Sequence, residues 1–476
     1  MATTESTWTL PGLTLRDVTL DVPLDRAAPG RGTIEVFARV IAAEGGEGRP
    51  FLLYLQGGPG SEAPRPGLDP ALPPWLERAL ADFRVVMLDQ RGTGRSTPVG
   101  PDLPLPAGFA AAVVTARTDG TAAPEPTSNP TGESTSELTS GSIAVPADDG
   151  SRPATESPVT LGQVAPEAQA EYLAQMRADA IVEDAEALRE ALGARTWSVL
   201  GQSFGGFCTL RYVSAHADSL ASVLLTGGLP AVGRPIDDAY ALTWSTMLAK
   251  SAEHYRRFPG DRDRVRRLMD LAAQGEVRLA DGGGVSPVRL RGIGILLGAS
   301  GGSERLHQIL ELDHRSPAFR HDLAAALPFG GRNPMYAVVH ESCWADGGTT
   351  CWAAERTMPA AFAEDPTLLS GEHVTHEALA EDPELAPWLP AAELLAAREW
   401  PALYDVEALR AADVSGAAAV YYDDAYVPRE LSLETAALLP GVKPWVTSEY
   451  EHNGLRASGD RVLDRLLGLA SGRIVR

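Results

Sequence analysis

Hydrophobic and polar positions alternate over 15–22 and again over 33–41, with a Pro- and Gly-bearing turn between them, which predicts an antiparallel pair of strands. Two nearly unbroken apolar runs follow, 51–55 and 83–88, and each ends in a glycine-containing loop. That is the pattern of parallel strands buried on both faces. The apolar rhythm then stops. From about 101 to 165 the chain is rich in Ser, Thr, Pro, Gly and acidic residues, and predicts a disordered surface insertion, because so little apolar surface cannot offset the entropy of ordering it. Helical spacing returns over 165–192 and stops at Gly193. A strand at 196–200, a helix at 206–216 and a strand at 222–226 then imply a parallel crossover. Helix-type segments fill 230–400, strand signals return at 417–422 and 443–447, and a helix closes the chain at 459–469. The predicted architecture is an α/β core in two parts, 1–229 and 401–476, with helices on both faces of a mostly parallel sheet. A mainly helical cap, 230–400, is inserted between the parts.

Composition narrows the function classes. The chain has 476 residues, 44% of them hydrophobic and 22% charged, as in ordinary globular proteins. Its net charge of -22 repels phosphate backbones and anionic lipid heads, so neither nucleic acid nor a membrane surface is an expected partner. The start of the chain has no basic segment followed by an apolar run, and no stretch approaches about 18 unbroken apolar residues; the expected location is the cytoplasm. Three cysteines, Cys208, Cys343 and Cys351, fit a reducing compartment better than a disulfide framework, although Cys343 and Cys351 could pair.

The chemistry centres on Gly201-Gln202-Ser203-Phe204-Gly205, which follows a predicted strand and precedes a predicted helix. This is the G-x-S-x-G nucleophile elbow in its required context, and it predicts the α/β-hydrolase fold. The glycines allow a sharp turn that leaves the Ser203 hydroxyl clear, and the Phe204 N–H at the helix start can meet a developing oxyanion. A serine needs a base and an acid to orient that base. In this fold they follow the serine in the order acid, histidine. Of nine histidines only His452 lies after the last predicted core strands. The preceding strand ends near two carboxylates, Asp423 and Asp424. The loop Gln56-Gly57-Gly58-Pro59-Gly60 should supply the second oxyanion donor; Pro59 has no N–H, and Gly58 is the choice. Asp89 and Arg91, after the next strand, are expected to pin their loop beside the site.

Taken together, Gln56-Gly-Gly-Pro-Gly, Asp89-Gln-Arg-Gly-Thr-Gly-Arg-Ser, Gly201-Gln-Ser-Phe-Gly-Gly and Asp424-Ala-Tyr-Val-Pro resemble the proline iminopeptidase family. The resemblance spans most of the chain outside the 101–165 insertion and favours Asp424 over Asp423 as the acid. It implies release of an unblocked N-terminal proline from a small peptide or prolyl amide, through an acyl-enzyme on Ser203, with no metal or other cofactor. Two departures bear on the substrate. Gln56 stands where the family's glycine loop usually begins with histidine, and the tryptophan-glutamate-glycine cap motif, whose glutamate binds the ammonium, is absent. A buried ammonium still needs an acidic partner, and Glu341 and Glu372 are the expected replacements, with Gly57 also at the substrate. With the same triad, an esterase, a lactonase or a broader aminopeptidase is the alternative, since fold and triad do not fix substrate.

Overall fold

The computed structural model describes residues 3–67, 72–119 and 158–475. Nine strands form one sheet: β1 (Thr3–Leu10), β2 (Leu13–Pro23), β3 (Thr33–Ala43), β4 (Phe51–Leu55), β5 (Arg84–Leu88), β6 (Trp197–Gln202), β7 (Leu220–Thr226), β8 (Ser415–Tyr421) and β9 (Val442–Thr447). Their order is β1-β2-β3-β5-β4-β6-β7-β8-β9. The three at the β1 end run antiparallel to their neighbours, and β5, β4, β6, β7, β8 and β9 are parallel. The sheet therefore has the α/β-hydrolase arrangement expected from the elbow.

Period-two alternation explains why the central strands read as continuous apolar runs. Leu53 and Leu55 of β4, Val199 of β6 and Val223 of β7 face one core, together with Ile181 of the helix Ala178–Ala191 and Phe207 of the helix Phe204–His216. Leu52 and Tyr54 of β4, Leu200 of β6 and Leu224 of β7 face the other, against Trp75 of the helix Pro74–Asp82 and Leu466 of the helix Arg461–Ala470. Both faces are covered, so both sets of positions must be apolar.

Between β7 and β8 the described chain carries helices and no strand, from Ile236–Arg257 to Val406–Ala411. This is the inserted helical cap.

Three expectations change. β1 escaped the sequence reading because nearly all of it is exposed and polar; it is an edge strand held by backbone pairing to β2. The single helix expected over 165–192 is two, Pro166–Leu173 and Ala178–Ala191, separated by a short 3-10 turn. The insertion expected to be disordered over 101–165 is structured at both ends. A helix spans Ala107–Asp119, Leu105 and Phe109 are buried, and Pro104 bridges to Thr160. Phe109 packs edge-on against Tyr172, an aromatic anchor that composition alone did not reveal. Residues 120–157 of that segment lie outside the described residues.

Asp89 and Arg91 do pin their loop, each with different partners. Asp89 accepts the N–H groups of Ala63 and Arg95 and pairs with Arg65. Arg91 is fully buried, binds Asp184 through two nitrogens at 2.6 Å each, and donates to the Leu24 carbonyl. All three cysteines are free.

Candidate active site

β6 delivers Ser203 to the sheet's carboxyl edge, where φ is 55° and ψ is -125°, a left-handed conformation that L-residues rarely adopt. Its N–H donates to the Thr226 carbonyl at 3.0 Å, which ties the elbow to the end of β7. The tightness of the turn accounts for its glycines: a methyl group on Gly205 would overlap the Leu55 carbonyl.

Asp424 lies three residues past β8, 3% exposed, and accepts the N–H groups of Tyr426 and Val427 at 2.9 and 3.0 Å. Its neighbour Asp423 is exposed. The His452 Nδ1 sits 3.0 and 2.8 Å from the two Asp424 oxygens. The imidazole also lies against Gly227, one residue beyond Thr226, where a methyl group would come within 3.0 Å of the ring. Ser203, Asp424 and His452 are thereby gathered at the ends of β6, β7 and β8. Burial disfavours the imidazolium, but the Asp424 charge and hydrogen bond, with a further contribution from Glu372, outweigh it and raise the His452 pKa above its ordinary value. An imidazole oriented through Nδ1 in this way leaves Nε2 free to take a proton and hold it as an imidazolium.

The histidine loop is clamped by the cap. His452 N–H donates to the Gly298 carbonyl at 3.1 Å, Ser300 N–H donates to Asn453 at 3.0 Å, and the buried Lys250 pairs with Glu451 at 2.5 Å. Lys250 had no signal in the sequence, since a lone lysine on a helix reads as surface.

The loop after β4 packs against the elbow. Gly57 lies so close to Gln202 and Ser203 that a methyl group there would be 2.9 Å from the Ser203 Cβ. Gln56 is held by the Tyr54 hydroxyl at 2.7 Å, and its carbonyl accepts from Gln90 at 2.9 Å. Gly58 has φ of 133°, open to glycine and strained for other residues. Phe204 is the first residue of its helix, so its N–H has no intrahelical acceptor.

The two cap glutamates differ. Glu341 is 8% exposed, and its two oxygens accept the N–H groups of Ala353 and Ala354 at 3.1 and 2.9 Å, so it caps the short helix Ala353–Arg356. Burial pushes its pKa up to about 7 in spite of those bonds. Glu372 is partly exposed, into a small cavity it shares with Tyr240, His340 and Tyr426. It accepts from the Tyr336 hydroxyl and lies within charge reach of both His452 and Asp424. Burial raises its pKa, partly offset by His452. The Tyr426 ring meets His452 edge-on, with centroids 4.9 Å apart. None of these tyrosines was foreseen, because they converge from three separate cap and core segments. Among the described residues no cluster of three or more His, Cys, Asp or Glu could hold a metal ion, and no helix is long and apolar enough to cross a membrane.

A serine on a strained elbow, with a buried acid–histidine pair beside it and a helical cap above, defines a serine hydrolase of the α/β-hydrolase class. Residues 50–274 match the family model for the alpha/beta hydrolase fold. A proline iminopeptidase of Aeromonas sobria is 37% identical over 462 residues, covering 94% of each chain. One from Aspergillus aculeatus is 28% identical over 482 residues, covering 95% of this chain and 93% of its own. The chain belongs to the proline iminopeptidase family. Among solved structures, esterase E22 aligns with 94% of this chain and 98% of its own at 12% identity, with a TM-score of 0.43.

Proposed function

We propose that this enzyme releases an unblocked N-terminal proline from small peptides through a prolyl-enzyme on Ser203. The observation that carries the reading is the position of Glu372, a cap carboxylate that lines a small cavity and lies within charge reach of His452 and Asp424. A prolyl ammonium there replaces the missing counter-charge of a carboxylate that burial otherwise drives toward its neutral form. Glu341 fits the role less well, because both of its oxygens are committed to backbone N–H groups.

In this reading Ser203 Oγ attacks the prolyl carbonyl while His452 Nε2 takes its proton, and Asp424 stabilises the imidazolium. The N–H groups of Gly58 and Phe204 receive the oxyanion. His452 then protonates the departing amine, leaving the prolyl ester on Ser203. Water, deprotonated by the same histidine, cleaves that ester and restores the serine. Gly57 lets the acyl group approach the elbow, since it places no side chain there.

A panel of free aminoacyl amides and nitrophenyl esters tests the assignment. Prolyl amide should be the preferred amide, with kcat/KM well above that of other aminoacyl amides. A preference for short esters by orders of magnitude would assign the site to ester hydrolysis instead.

A further inference from the structure

A second cavity lies in the cap and meets the small Glu372 cavity at a shared residue. His373 lines both, and its ring stacks on Trp244 at 3.7 Å between centroids, forming the partition. The second cavity is partly open and offers about 50 Å³, the space of about four water molecules. Leu327, Phe329, Leu379 and Leu385 supply apolar walls.

Its polar lining is unbalanced. Arg289 and Asp382 both face the cavity, but they neutralise each other through a buried pair at 2.5 Å. Arg291 has no such partner. Its Nε is buried without a hydrogen bond, and Nη1 reaches only the Met358 sulfur at 3.8 Å. Burial lowers the Arg291 pKa; Glu377 and Asp365 lie within charge reach, and neither hydrogen-bonds to it. Ser370, 6% exposed, lines the same cavity, and its hydroxyl has no partner among the described residues. The Thr375 hydroxyl accepts the Ala378 N–H at 3.1 Å and keeps its own proton to donate. His373 is already satisfied, accepting the Gly371 N–H at Nδ1 and sharing a bond with Thr243 at Nε2.

A guanidinium without a hydrogen-bonded counter-charge and two hydroxyl donors, lining one cavity together with apolar side chains, match an anion with a short apolar tail. We infer that this cap cavity is a binding site for a small aliphatic carboxylate, whose charge pairs with Arg291 while its chain packs on Leu327, Phe329 and Leu379. A neutral ligand of the same shape would leave the guanidinium without a hydrogen-bonded counter-charge, so the site should discriminate by charge. This site is separate from the prolyl cavity and does not depend on what the triad hydrolyses.

The test is titration of the full chain with butyrate and with its neutral analogue butyramide, followed by ligand-observed NMR. Butyrate should bind at least about tenfold more tightly than butyramide. Arg291→Met, which keeps the stem's packing, should remove that preference, and Leu379→Phe, which adds bulk to the apolar lining, should weaken butyrate without touching the charge. Equal binding of the two ligands, absence of butyrate binding, or unchanged butyrate affinity in a folded Arg291→Met protein would each overturn the inference. The butyrate–butyramide contrast in the unmodified chain stands even if a variant fails to fold.

Discussion

His452 and Asp424 face each other across the ends of two neighbouring segments, with Nδ1 of the imidazole 2.8 and 3.0 Å from the two carboxylate oxygens. Two backbone N–H groups also hold one of those oxygens, so the acid's position does not depend on the histidine alone. Asp424→Asn should keep the fold and lower kcat by about 10³- to 10⁴-fold, because the amide no longer selects the tautomer that leaves Nε2 free to accept a proton. The exposed Asp423→Asn should stay within about twofold of the parent. Steady-state kinetics on both variants checks the assignment, and similar losses in the two would contradict it.

The raised pKa of His452 sets the acid limb of the pH profile. The base works only when neutral, so kcat/KM should rise through a midpoint above 6.5, the ordinary histidine value. Glu372 contributes to that rise by its charge. Glu372→Gln should therefore move the midpoint to lower pH and at the same time raise KM for free prolyl substrates, while short esters keep most of their rate. A pH–rate series on the two proteins reads both effects; loss on esters and amides alike would indicate structural damage instead.

Glu341 offers a stability test with a defined sign. Its pKa is about 7 in the folded protein against an ordinary 4.5, so the folded state binds more protons than the unfolded state between those values. Stability from this group is present below pH 4.5 and is lost as pH rises through 7, by an amount on the order of 3 kcal/mol. Chemical unfolding from pH 4.5 to 7.5 should show a shallower decline for Glu341→Gln than for the parent. Parallel curves would mean that Glu341 titrates alike in the folded and unfolded chains.

Arg91 and Asp184 form the buried pair beneath the loop that follows β5. Asp184→Ala leaves the Arg91 guanidinium without its counter-charge and should cost about 3–5 kcal/mol in a urea melt. A loss under 1 kcal/mol would mean that the Leu24, Pro23 and Gln175 carbonyls suffice for it.

The parts of the site that were legible in the sequence are those carried by local backbone geometry. Gly201 to Gly205 announced the elbow because steric limits act between residues close in the chain, and chain order then separated His452 from eight other histidines. The choice between Asp423 and Asp424 needed the resemblance as well, and burial now distinguishes them. The cap resisted the same treatment. Glu341 and Glu372 look alike in sequence, and only packing shows that one caps a helix while the other faces a cavity. Tyr240, Tyr336 and Tyr426 come from segments far apart in the chain, so no spacing could have joined them. Composition also misled at the ends of the 101–165 insertion, where buried Leu105 and Phe109 and the Pro104–Thr160 bridge anchor the segment.

In the proposed reaction a free prolyl ammonium is recognised next to Ser203. Its most direct test compares hydrolysis of a prolyl amide with hydrolysis of the same amide acetylated on the ring nitrogen. The free form should turn over rapidly and acetylation should cost at least about 10²-fold, since the capped nitrogen carries neither the charge nor the N–H donors for Glu372. Equal rates on the two substrates would contradict it.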